Sequence, residues 1–157
     1  MSLQKLNTEA LQYLFEGYLS NPGALYDITE ITNKYNQNVH EYGSFLKEKN
    51  WIKDGRFLPA TFECSISFDG IAVINPNYIN ENCDKLLSTL ATLGGQQSLM
   101  ELLDFGPHEY QRARDITNFL RDSGLIEVIY THNDGSVSFT MNGRDFYQQN
   151  GANFIRQ

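Results

Sequence analysis

Several things are scarce in this chain of 157 residues. No apolar run approaches the roughly 20 residues that span a bilayer. The opening stretch MSLQKLNTEALQ is polar and helical in pattern, unlike the apolar core of a signal peptide. No membrane partner is expected. Cysteine occurs only at Cys64 and Cys83, too few and too far apart for a disulfide framework or a CxxC pair. The expectation is a cytoplasmic protein with two reduced thiols.

Residues that carry chemistry are also few. The histidines are His40, His108 and His132, and none stands at metal-ligand spacing from another histidine, a cysteine or an acidic residue. His108-Glu109 does not open an HExxH motif, because position 112 is arginine. Gly94-Gly95 lacks the flanks of a phosphate loop and reads as a helix stop. Cys64 alternates with Phe62 and Ile66, so it reads as a small core residue before a nucleophile. The expected protein is non-enzymatic, with no metal and no cofactor.

Positive charge is short as well. Lysine and arginine number 12 against 19 acidic residues, for a net charge of −7. Divided at Ile79, the two parts carry 6 against 9 and 6 against 10, so neither part is a basic domain. Nucleic-acid affinity depends on neutralising phosphates, and an acidic chain repels a polyanion at long range. DNA binding therefore needs a local basic face.

What is present is ordinary globular material: 41% hydrophobic and 20% charged residues, enough for one domain or two small ones. Aromatics reach 13%, which helps small cores because each ring buries a large area. A first helix is expected from near Asn7-Thr8 to Leu19, with Leu6, Ala10, Tyr13, Leu14 and Tyr18 inward. Asp27-Ile28-Thr29-Glu30 reads as a second helix start, Asp27 accepting from free backbone N–H groups. A third helix, about Asn38 to Asn50, follows with Val39, Tyr42 and Leu46 inward. Phe62, Cys64, Ile66 and Phe68 then alternate with polar residues, as in a half-buried strand. Its partner lies within Trp51–Leu58, where Asp54-Gly55 is a hairpin signal and Pro59 a competing break.

The polar stretch NPNYINEN, Asn75 to Asn82, marks a boundary near Asn77 between domains 1–77 and 78–157. Helices are expected at Glu81–Leu93, Gln96–Phe105 and His108–Ser123, then a strand, a turn at Asn133-Asp134-Gly135, a second strand and a helix after Asn142-Gly143.

The two halves repeat. Phe45-Leu46-Lys47-Glu48-Lys49-Asn50-Trp51-Ile52 matches Phe119-Leu120-Arg121-Asp122-Ser123-Gly124-Leu125-Ile126 class by class, and Ser67-Phe68-Asp69-Gly70 matches Thr140-Met141-Asn142-Gly143. The spacing of Ile28, Ile31, Tyr35, Val39, Tyr42, Leu46 and Ile52 resembles the helix-turn-helix of winged-helix proteins. Phe139-Thr140-Met141-Asn142-Gly143-Arg144 resembles the strand end and glycine that lead into the last helix of many bacterial winged-helix regulators. The resemblance implies a mainly α fold with small β wings (α+β): two winged-helix domains in tandem, each a three-helix bundle with a two-strand hairpin.

That fold is most often used on double-stranded DNA, with the third helix in the major groove. In the second half, Gln111, Arg114, Asn118 and Arg121 face away from the apolar stripe, and these residue types read base edges. Asp115 and Asp122 share the face, and the tip His132-Asn133-Asp134-Gly135 adds no cation. In the first half, Lys47, Lys49, Lys53 and Arg56 could meet phosphate. The first expectation is therefore a DNA-binding transcriptional regulator using the third helix of the second domain; close behind it is a protein partner or a second copy of the chain. Acidic tandem winged helices occur in assembly proteins, and the arrangement is similar to that of small chromosome-segregation and sorting-complex subunits. Tyr26, Tyr110, Tyr130 and Phe154 are candidate anchors, weighed against simply closing small cores.

Overall fold

The computed structural model describes residues 2–150. The fold is mixed α+β, and the chain divides into two compact units, Met1–Asn75 and Pro76–Gln157. Each unit has its own three-stranded antiparallel sheet.

The first unit runs α1 (Leu3–Ser20), β1 (Tyr26–Asp27), α2 (Thr29–Lys34), α3 (Val39–Glu48), β2 (Ile52–Phe57), β3 (Phe62–Ile66) and α4 (Phe68–Ile74). Helix α1 starts earlier than its apolar pattern suggests, because the Ser2 hydroxyl accepts from the Lys5 N–H and caps it. Leu6, Ala10, Leu11, Leu14, Phe15 and Tyr18 are buried. Tyr13, expected inward, is 40% exposed; at 100° per residue it lies at the margin of that stripe. Asp27 accepts from the Thr29 N–H at 2.9 Å, one residue outside the cap position held by Ile28. Asn38 caps α3 by accepting from the Glu41 N–H.

The strands are ordered β1-β3-β2. Asp54-Gly55 is not the hairpin turn; it lies inside β2, and the register slips between Ile52 and Asp54. The turn is at Leu58–Thr61, where the Leu58 N–H donates to the Thr61 carbonyl at 3.0 Å and proline is accommodated at the bend. His40 Nε2 sits 2.6 Å from the Leu58 oxygen and 3.1 Å from that of Thr61, tying the turn to α3. Gly55 serves packing instead, since a Cβ there would come within 2.8 Å of the buried Phe62 ring.

The second unit runs α5 (Pro76–Leu93), β4 (Gln97–Ser98), α6 (Leu99–Leu103), a single 3-10 turn (Pro107–Glu109), α7 (Tyr110–Asp122), β5 (Ile126–Tyr130), β6 (Gly135–Phe139) and α8 (Met141–Asn150). Its strands are ordered β4-β6-β5. Helix α5 begins five residues before the expected Glu81, with Pro76 as its first residue. Proline's fixed φ suits a helix start, and Ile79, Cys83, Leu86, Leu87 and Leu90 continue one buried stripe. The unit division therefore falls at Asn75–Pro76. Gln96–Phe105 is not one helix: Gln97–Ser98 pairs with β6, and Ser98 caps the shorter α6 through the Glu101 N–H. Helix α8 opens at Met141, ahead of Asn142-Gly143.

One expectation about each half needs correction. The sheet has three strands instead of two, because a two-residue strand before the second helix joins it. Each unit has four α-helices among the described residues, one beyond a three-helix bundle; in the second unit the fourth is the helix expected near Asn142-Gly143.

The same corner recurs within each unit. Asn50 (φ 59°) and Gly124 (φ 79°) turn left-handed after α3 and α7. The next N–H groups, of Trp51 and Leu125, donate back to the Leu46 and Leu120 carbonyls. Ser67 donates its hydroxyl to the Asn50 carbonyl at 2.5 Å and accepts from the Gly70 N–H at 3.1 Å. Thr140 does the same between the Gly124 carbonyl, at 2.7 Å, and the Gly143 N–H, at 2.8 Å. The Ser67 and Thr140 N–H groups donate to the Trp51 and Leu125 carbonyls.

Candidate binding surfaces

Helix α7 is held by its buried side, Ala113, Ile116, Thr117 and Leu120. Its start is fixed by Glu109, whose carboxylate accepts from the Gly106 N–H and pairs with Arg112. The Gly106 N–H, opposed by partial burial and aided by Arg112, keeps the Glu109 carboxyl below its ordinary value. The Arg112 guanidinium also lies over the rings of Tyr78 and Phe105. Arg112 is thus structural.

The outward face brings Gln111, Arg114, Asn118 and Arg121 together within about 80° of arc. Their side chains are engaged within the unit. Gln111 donates to Asp115 at 3.0 Å. The Tyr130 hydroxyl, from β5, donates to the Asn118 side-chain oxygen at 2.6 Å and sits 2.7 Å from the Thr117 hydroxyl. The Arg114 guanidinium lies 4.4 Å from the Tyr130 ring centre and 5.8 Å from that of Tyr110. Its Nε is buried without a hydrogen-bond partner. Burial pushes the Tyr130 hydroxyl above its ordinary value, against the opposing pull of Thr117 and of the Arg121 and Arg114 charges. Arg121 remains half-exposed, 6.0 Å from the same ring, with its Nε 3.5 Å from Asp122.

In the β5–β6 turn, Thr131, His132 and Asn133 are exposed. Asp134 faces inward, accepting from the Ser98 hydroxyl at 2.6 Å and the Met100 N–H at 3.1 Å, so it joins the turn to the start of α6. Burial opposes its ionisation, but Ser98 and the Met100 and Gly135 N–H groups hold its carboxyl below the usual value.

In the first unit the four candidate phosphate contacts fall around α3 and β2. Lys47 lies over Phe57, Lys49 over Phe45 and Trp51, and Lys53 over Tyr18. Arg56 pairs with Glu63 at 2.6 Å. All four side chains are exposed, and surface contacts of this kind hold a side chain by only ~1 kcal/mol.

Of the candidate anchors, Tyr26, Tyr110 and Tyr130 are half-buried and their hydroxyls are bonded: Tyr26 to the Gly17 and Asn21 carbonyls, Tyr110 to those of Thr131 and Asp134. Phe154 lies outside the described residues. Cys64 and Cys83 are buried, which pushes each thiol up to about 12 and leaves no thiolate at neutral pH. Among the described residues no three His, Cys, Asp or Glu side chains gather where they could hold a metal ion, and no helix is long and apolar enough to cross a membrane.

One surface escapes sequence reasoning. A groove of about 830 Å³ runs between α1 and α2, with Tyr13, Ile31 and Tyr35 among its walls and Glu9, Glu16, Asp27 and Glu30 around it. The available signal is the spacing of Glu9, Gln12, Tyr13 and Glu16 on one helix face. No family model matches the chain, nor does any curated protein or solved structure.

Proposed function

We propose that the chain is a non-enzymatic tandem winged-helix protein that serves as a protein-binding assembly module. The winged-helix assignment is supported by the same order of α-helices and strands in the two units, by equivalent strand orders, and by the serine or threonine corner found in each. One observation carries the choice of partner: Tyr130 occupies the outward face of α7. Its hydroxyl takes the Asn118 oxygen and its ring holds Arg114, so two of the four base-reading candidates are committed within the unit. Exposing them to bases means breaking those contacts in an acidic chain of net charge −7.

DNA binding is the second reading, favoured by the exposed Gln111 and Arg121 on one α7 face and by exposed Lys47, Lys49 and Lys53 in the first unit. Titration with duplex DNA at low and physiological salt separates the two. The protein-binding reading expects no saturable binding at low salt, and a specific partner retained by immobilised chain from its source cells. DNA binding that falls steeply with salt, and that R114A/R121A weakens by tenfold or more, of order the ~1–3 kcal/mol of a base contact, overturns it.

A further inference from the structure

We propose that the α1–α2 groove of the first unit is the docking site for a basic segment of a partner protein, one that carries lysine or arginine around one or two apolar side chains. This rests on the protein-binding reading and names its surface and the chemistry of the partner.

The groove follows α1 from Lys5 to Glu16, about 16 Å, or three helical turns. That length accommodates a helix of three turns or a short extended segment. Its apolar side is Tyr13, 40% exposed, with Ile31 and Tyr35 half-buried. An aromatic left accessible beside a groove is the kind of side chain on which binding energy concentrates.

The carboxylates set the sign of the partner. Glu9 is already satisfied: Lys34 lies at 2.8 Å, the Tyr35 hydroxyl donates at 2.9 Å, and these bonds lower its carboxyl value. Glu16, Asp27 and Glu30 are different. Among the described residues none of the three is ion-paired with a lysine or arginine. Glu16 accepts from the neutral Gln12, and Asp27 from Thr29. Among the described residues Lys5 is the one cation on the groove lining. Three carboxylates without an ion-pair partner, set against one lysine around an apolar floor, attract cationic side chains and disfavour anionic ones, while the floor accepts apolar groups between them. DNA, a polyanion, is repelled from this surface.

The test is fluorescence anisotropy of the full chain with a labelled peptide of about 12 residues, alternating lysine pairs with leucine pairs. A peptide with glutamate in place of lysine serves as reference. The lysine peptide is expected to bind, the glutamate peptide not. E16Q/E30Q should weaken binding roughly tenfold, and I31S by a similar factor through loss of the floor. D115N/D122N, which removes the same charge from the second unit, should change it less than about twofold, within the range of a screened surface charge. Circular dichroism melts identify any variant that fails to fold; Asp27 is left intact because it supports the start of α2.

No binding of the lysine peptide, or equal weakening by the two charge variants, overturns the proposal. A dimer in sedimentation that E16Q/E30Q dissolves assigns the groove to a second copy and overturns it as well. If a cellular partner is retained equally by E16Q/E30Q, the groove assignment falls while the protein-binding reading stands.

Discussion

Gly143 lies so close beneath Leu125 that a Cβ on it would come within 1.8 Å of the Leu125 carbonyl oxygen. No real contact is that short, so backbone must move to admit a methyl group. The equivalent approach in the first unit is Gly70 on Trp51, at 2.3 Å. Gly143→Ala and Gly70→Ala are each expected to destabilise their own unit by more than about 2 kcal/mol. Gly94→Ala, where a Cβ meets nothing within 4 Å, should cost only the ~1 kcal/mol of its left-handed backbone. Denaturant melts of the three variants check the ranking, and equal midpoints would refute the close-approach account.

Tyr130→Phe keeps the ring under Arg114 and removes the hydroxyl that bonds Asn118 and Thr117. A loss of about 1–2 kcal/mol in the second unit is expected. Tyr130→Ala should cost more, since the guanidinium loses its platform. A Phe variant as stable as the parent would mean that these bonds contribute nothing.

Asp134 joins the β5–β6 turn to α6, so Asp134→Ala should destabilise the second unit by about 1–2 kcal/mol and Asp134→Asn by less. Its folded carboxyl value is depressed. The stability it contributes is therefore present above the unfolded value, near 3.9, and is lost as pH falls through the lower folded value. Melting temperatures from pH 5 downward should converge for parent and Asn variant.

The buried thiols act at the other end of the scale. Both rise to about 12 from 9.0. A raised folded value means full stabilisation below about pH 9 and progressive loss as pH climbs toward 12, on the order of a few kcal/mol across that range. Cys64→Ala with Cys83→Ala should lower stability at pH 7 by ~1 kcal/mol per site and flatten the alkaline limb. An unchanged alkaline limb would show that other groups, such as tyrosines, govern it.

Legibility of the fold in the sequence follows the length of each signal. The stripes of α1, α3, α5 and α7 span several turns, so their apolar positions stand out by period alone. Strands β1 and β4 have two residues each, too few to show any period, and exist only through pairing with β3 and β6. Asp54-Gly55 has hairpin chemistry, but Phe62 claims Gly55 for packing and Pro59 takes the bend. The corner was visible as Ser67 to Gly70 beside Thr140 to Gly143, because its hydrogen bonds depend on fixed residue types.

The candidate surfaces were legible only in part. Periodicity places Arg114 and Asn118 on the outward side of α7, but it carries no information about Tyr130, 12 residues beyond Asn118, folding over that side. The α1–α2 groove is hidden from periodicity for the same reason. Tyr13 and Ile31 become neighbours through tertiary folding, and the apolar stripe alone turns Tyr13 inward although it occupies the stripe's margin.

The slipped register between Ile52 and Asp54 has a consequence for how concentrated solutions of the protein behave. The outer edge of the first sheet is kinked there and carries Lys53, Asp54 and Arg56, so a strand from another molecule finds an interrupted, charged ladder. Strand β5 pairs without such a slip and leaves Ile129 68% exposed. Fibrillar aggregation of this chain should therefore start from the second sheet, and Ile129→Lys is the substitution that blocks it.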